Sequence, residues 1–255
     1  MGAGIPHLQS ARSICNFCLY RNYGYNVNAS TVIRVARVPP VDHPASVDIR
    51  RLLGATEWFA LPATTRARFA EHAASVAYRG SFDEVRASFA GRLFAWCCRL
   101  LGTPVAPFTG ENVPATVHVF ATPDGGTAWQ RIYEFPGRKP CVVESIKRLS
   151  REGTLVEALP ACLRMALDVY AHAGVLHFVS NAYYFEIGML RIALPDWLPP
   201  GTTHVEHIDL GDGKFRFTMR VRHRWLGEVF YQTGCFSDPG SLVESGRGPF
   251  DKPPA

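Results

Sequence analysis

A chain of 255 residues with 47% hydrophobic content carries enough apolar surface for one large domain. Its net charge of +5 comes mostly from arginines scattered along the chain, not from the blocks that nucleic-acid tails show, so no nucleic-acid partner is expected. No apolar run approaches the roughly 18 to 20 residues of a membrane-spanning helix, so no membrane span is expected.

Residues 1–45, from "MGAGIPHLQS" to "VPPVDHPAS", hold no sustained period and read as an irregular extension. Cys15 and Cys18 form a C-x-x-C pair there. Zinc would need a second ligand pair and a redox motif a βαβ context, and neither follows, so no metal or cofactor is expected. The seven cysteines are an odd number with no secretory signal ahead of them, which points to a reducing cytoplasm.

Residues 46–102 carry helical signals. Ser46 can cap "VDIRRLL", which stops at Gly54, and Pro62 sits where "ATTRARFAEHA" begins. Ser81 and Glu84 form a capping-box pattern ahead of a helix ending at Gly102. Its apolar stripe is Val85, Phe89, Leu93, Trp96, Cys97 and Leu100. From about residue 113 to 236 the period becomes two, in runs such as "ATVHVFA", "AWQRIYEF", "CVVESIKR", "CLRMALDVYA", "VLHFVSNAYYF", "THVEHIDL", "KFRFTMRVRH" and "GEVFYQTGCF". The expected fold is α+β, mainly β: a large curved antiparallel sheet or barrel-like calyx covered by N-terminal helices. Residues 46–238 make a single domain and 239–255 a tail.

Turn chemistry suggests registers. Asp212-Gly213 suits a two-residue turn that sets Leu210 opposite Phe215, Ile208 opposite Phe217, Glu206 opposite Met219 and His204 opposite Val221. A three-residue loop would instead place Ile208 across from Arg216, mixing apolar and polar faces. In the first register His204 and Glu206 look inward and His207 outward, so the two histidines of "HVEH" cannot chelate one metal, and zinc is not expected. A four-residue connection over 136–139 pairs Tyr133 with Val142 and Arg131 with Glu144, enclosing an Arg/Glu pair among Trp129, Tyr133 and Phe135. Such a pair is either a register-fixing ion pair or a ligand-facing one. A turn at "AHAG" sets Leu167 against Phe178, Val169 against Leu176, and Asp168 against His177, the last as a surface pair. The segment "LPDWLPPGTT" reads as a loop across a barrel end with Trp197 plugged into the core.

Several of these stretches, "AWQRIYEF", Ser145, Glu157, "LRIALPDWLPP" and "DGKFRFTMRVRHRWLGEVFYQTGCF", resemble a bacterial domain-of-unknown-function family often found C-terminal to saccharopine-dehydrogenase-like reductase domains. The likeness spans about residues 50–236. Trp129, Arg131, Glu157, Leu194, Pro195, Trp197, Leu198, Pro200, Phe215, Phe217, Gly227 and Tyr231 match its pattern, and Cys235 departs from it. The resemblance implies a reductase-domain partner and no reaction. No G-x-G-x-x-G follows a strand, so the chain carries no nucleotide-binding half of its own.

Three functions stay open. The leading one is a binding module holding an apolar small molecule, with Arg131, Trp129, Tyr133, Phe178, His204, Phe215, Phe217, Met219, Tyr231 and Glu157 as ligand-binding candidates. The second is a cofactor-independent isomerase, cyclase or lyase in which Glu206 or Glu144 moves a proton and Arg131 stabilises an anion. The third is an interaction domain partnering a reductase.

Overall fold

The computed structural model describes residues 47–70, 75–99, 105–123, 125–150, 152–159, 162–187 and 190–239, with side chains left out at 97–99. The expected extension 1–45, its C-x-x-C pair, Ser46, Gly102 and the tail from 240 on lie outside them. The described elements are helices α1 (Ile49–Ala60), α2 (Ala63–Phe69) and α3 (Phe89–Arg99). The strands are β1 (Val76–Ala87), β2 (Gly110–Ala121), β3 (Thr127–Tyr133), β4 (Cys141–Leu149), β5 (Leu155–Ala158), β6 (Leu163–His172), β7 (Val175–Ile187), β8 (Leu190–Ala193), β9 (Thr202–Gly211), β10 (Lys214–His223) and β11 (Gly227–Ser237).

Strands with one apolar face and no second sheet to cover it must bury that face by curling, and here the sheet closes completely. The order β6-β5-β4-β3-β2-β1-β11-β10-β9-β7 returns from β7 to β6, giving an antiparallel barrel of ten strands. Among the described strands only β8 stands outside the ring, paired with the far half of β7 at Tyr184–Ile187. The mainly β fold with N-terminal helices is therefore the one expected, and α1 lies against β6 and α2 against β9.

The helical section differs in detail. Asp48 caps α1, accepting from the backbone N–H groups of Arg50 and Arg51, and Gly54 at φ 75° kinks the helix where it was expected to stop. The capping-box pair Ser81 and Glu84 belongs to β1, which runs between β2 and β11 and buries Phe82 and Val85 inside the barrel. Helix α3 starts later, with Ser88 Oγ accepting from the Gly91 N–H at 3.1 Å. Of its expected core stripe, Phe89, Leu93 and Trp96 face outward, at 77%, 58% and 51% exposed, while Gly91 and Ala95 meet the barrel; the Cys97 side chain and Leu100 lie outside the described residues. The reason is close approach, since a Cβ on Gly91 would overlap the Val229 carbonyl of β11, and only the small-residue side of α3 can lie that near.

Three registers also differ. The turn Asp212-Gly213 forms, with φ of 50° and 67°, but Gly211 at φ 79° adds a bulge that leaves Leu210 without a cross-strand partner. The pairing then runs Phe215 with Asp209, Arg216 with Ile208 and Phe217 with His207. One extra residue exchanges the faces of β9. Between β3 and β4 the link is 134–140, longer than a hairpin turn, because Phe135 leaves the strand and stacks on Tyr133 in the core. Arg131 consequently pairs with Val143, and Gln130 with Glu144. In the third hairpin Ala173-Gly174 makes the turn, so Asp168 faces Val179, and His177 faces Tyr170. Leu167, Val169, Leu176 and Phe178 keep the shared inward face that their parity requires.

Two apolar clusters fill the barrel and meet at Trp129 and Val205. One is built from β1 to β4, β10 and β11 around Phe82, Val113, Tyr133 and Phe236; the other joins Trp58, Leu61 and Phe69 of the helical segment to Leu155, Leu167, Leu176 and Phe178. Trp197 belongs to neither. At 56% exposed it lies outside the core, in the proline-rich link between β8 and β9, with its carbonyl 3.3 Å from His223 Nε2.

Candidate functional site

Inside the barrel, β3 points Trp129, Arg131 and Tyr133 inward, β4 points Ser145 and Lys147, and β5 points Glu157. The ladder pairs Trp129 with Ser145 and Lys147 with Glu157, which brings two cations and one carboxylate to the same stretch of wall. Lys147 Nζ is 3.3 Å from Glu157 Oε2, Arg131 Nη2 is 3.9 Å from Glu157 Oε1, and Arg131 Nη2 donates to Ser145 Oγ at 3.1 Å. Side-chain exposure is 8% for Arg131, 13% for Lys147 and 10% for Glu157, so all three charges have left water.

Their protonation follows from that burial. Desolvation would raise the Glu157 carboxyl, but Lys147, Arg131 and a hydrogen bond from Ser145 overcome it and hold the group ionised below its ordinary range. Desolvation pulls Lys147 down; Glu157 opposes this and Arg131 adds to it, leaving the amine below its usual value. The polar line continues through Tyr133, whose hydroxyl donates to Gln232 Oε1 at 2.9 Å. Gln232 Nε2 has no hydrogen-bond partner among the described residues.

Aromatic rings surround these groups. Lys147 Nζ stands 5.1 Å from the Trp129 ring centre and 5.8 Å from that of Phe178, and the Arg131 guanidinium is 6.0 Å from Phe217. Phe69 of α2 reaches in between, 5.8 Å from both Trp129 and Phe178 and edge-on to His207 at 4.9 Å. Two hollows of about 20 and 40 Å³ adjoin the cluster, one beside Arg131, His207 and Phe217, the other beside Lys147, Phe178 and Ile49; Phe69 and Trp129 line both. Since one water needs about 10–15 Å³, they have room for no more than a few waters with Phe69 in place.

The adjacent Arg68 latches α2 to the barrel. It donates to Asp238 through two nitrogens, both at 2.7 Å, and to Asp209 Oδ1 at 2.8 Å, and lies 4.7 Å from the Phe215 ring. His207, stacked on Phe215 at 4.5 Å, is pushed down to about 3 by burial and then by Arg68, so it is a neutral core imidazole.

The structure brings together Trp129, Arg131, Tyr133, Glu157, Phe178, Phe215, Phe217 and Met219 on the inner face. It separates four other candidates from them. Glu144 is outside, accepting from Gln130 at 2.9 Å. His204 and Glu206 are on the outer face of β9, because the Gly211 bulge reverses its parity. Tyr231 is outside on β11, beneath Arg86 at 5.0 Å and Arg220 at 5.4 Å. The acid/base arrangement in which Glu144 or Glu206 converges with Arg131 on one cavity is therefore not formed. Lys147, Arg68 and Phe69 escaped sequence reasoning, and His207, expected to point outward, lies inside because the same bulge turns it inward. Once β4 is anchored by Ser145, Lys147 follows two residues later on the same face, and Ser145 was already marked by the family resemblance.

No curated protein matches this chain significantly. A protein family described as "Domain of unknown function (DUF4166)" matches residues 61–236, the stretch from the end of α1 through β11 that contains Arg131, Ser145, Lys147 and Glu157. On the strength of that match, which spans most of its length, the chain belongs to the DUF4166 family.

Proposed function

We propose that the domain binds an apolar small molecule inside the barrel through an acidic group on that molecule. One observation carries the reading: two buried cations, Arg131 and Lys147, share one carboxylate among the described residues, that of Glu157, beside aromatic-lined hollows. An excess positive charge in an apolar interior is costly, and an anionic head group seated there would offset it. Arg131 offers a planar fork for a carboxylate and Lys147 a point charge. The rings of Trp129, Phe178 and Phe217 suit an apolar body. Withdrawal of Phe69 would join the two hollows into one chamber, so entry proceeds past α2. On the family resemblance, the proposed setting is a bacterial cytoplasm beside a reductase domain.

The test uses a fluorescent anthroyloxy fatty acid and its methyl ester. The acid is expected to bind saturably and the ester far more weakly, with Lys147→Met and Arg131→Leu each weakening the acid and Glu144→Gln leaving it unchanged. Native mass spectrometry of gently purified protein should show a retained small acid. Equal binding of acid and ester to the unaltered protein, or binding of neither, would overturn the proposal.

A further inference from the structure

The stretch "HVEH" keeps a role that the barrel interior does not use. We propose that His177, His204 and Glu206 form a binding site for a divalent first-row transition-metal ion, such as zinc, on the outer wall of the barrel. His204 and Glu206 are two apart on β9 and so share its outer face, while His207 points into the core. The third ligand comes from the neighbouring strand: His177 of β7 is the cross-strand partner of Glu206, and Val179 that of His204. The sequence alone could not supply this third group.

The ligand atoms are already gathered. His177 Nδ1 is 3.1 Å from His204 Nε2 and 3.7 Å from Glu206 Oε1, and one atom from each residue falls within 4.8 Å of the others. Ligands held about 2.0–2.1 Å from a tetrahedral zinc lie about 3.3 Å apart, so a small rotation of the half-exposed Glu206 completes one face of the tetrahedron. Two imidazoles and one carboxylate suit zinc, cobalt or nickel, not the all-oxygen preference of calcium or magnesium. Three protein ligands leave the fourth position to water or to a group from another molecule.

The surroundings favour an ion. His177 lies between the rings of Tyr170, at 4.8 Å and 15°, and His204, at 5.3 Å and 30°, which fixes its plane. On the β10 side, Thr218 stands opposite Glu206, and Arg220, opposite His204, is engaged by Glu228 at 3.0 Å.

The experiment is titration of the full chain with Co²⁺, read by its visible absorption, followed by competition with Zn²⁺. One ion per chain is expected, with a spectrum of nitrogen and oxygen ligation and no thiolate charge-transfer band. His204→Ala and Glu206→Gln alter partly exposed groups and should keep the fold, checked by circular dichroism. Each should weaken the ion at least about tenfold, since even outer-shell partners of metal ligands are worth that much. Absence of saturable binding, a thiolate band assigning the ion to cysteines, or unchanged affinity in the double variant would each overturn the site.

Discussion

Lys147 and Glu157 face each other across β4 and β5 inside the barrel, 3.3 Å apart, with Arg131 on the far side of the same carboxylate. Removing the anion leaves two buried cations with no counter-charge among the described residues. Glu157→Gln should therefore cost about 3–5 kcal/mol in urea denaturation, and the double change Glu157→Leu with Lys147→Met should recover part of it. A single-variant loss below about 1 kcal/mol would mean that neither cation depends on Glu157 as its counter-charge.

Arg68 ties α2 to the ends of β9 and β11. Its side chain is only 4% exposed and serves two carboxylates, so Arg68→Leu should destabilise by about 3–5 kcal/mol, and Arg68→Lys, which lacks the fork, should not restore the loss. Amide exchange in α2 should accelerate in both variants. If the proposed ligand enters past Phe69, its association should also become faster.

The buried imidazole of His207 makes stability depend on pH. Its folded value of about 3 lies below the ordinary 6.5, so the unfolded chain takes the proton first. The contribution is complete above pH 6.5 and is lost as pH falls from there toward 3, at up to about 1.4 kcal/mol per pH unit. His118 and His177 are also held low, both mainly by burial, and add to the slope. His207→Leu should thus reduce, without abolishing, the dependence of urea midpoint on pH between 6.5 and 5, the interval above the carboxylate range.

The bulge at Gly211 can be tested by contrasting neighbours that a simple two-residue turn would treat alike. Leu210 is 45% exposed and Phe215 6%, so Leu210→Ala should shift stability by no more than about 0.5 kcal/mol and Phe215→Ala should cost about 3–5. Comparable losses at both positions would restore the bulge-free register. An interior role for Leu210 would also return His204 and Glu206 to the inner face.

Much of the architecture was legible in the residues alone. Alternation in stretches such as "KFRFTMRVRH" requires a strand with one buried face, and a succession of such strands must close, which is why the barrel with N-terminal helices was expected and is found. The turn dipeptide Asp212-Gly213 was legible too, since both residues adopt the left-handed backbone that tight hairpins need, whereas the third hairpin, expected to turn over all of "AHAG", turns at Ala173-Gly174 instead. The aromatic and aliphatic inner wall, from Trp129 to Phe217, follows from the same alternation.

Which polar groups share that wall was decided only by the tertiary structure. Period-two alternation tells which residues travel together but not which of two mixed faces points inward. On β9 both choices carry a charged or titratable group, His204 with Glu206 or His207 with Asp209. The choice falls to partners far away in sequence: Phe69 and Arg68 of α2 meet His207 and Asp209, and Gly211 absorbs the extra residue. Phe135 does the same for β4 by leaving the strand for the core, which turns Glu144 out and Lys147 in. A single-residue shift costs almost nothing locally yet exchanges every side chain between core and solvent, so long-range packing, not local pattern, sets it.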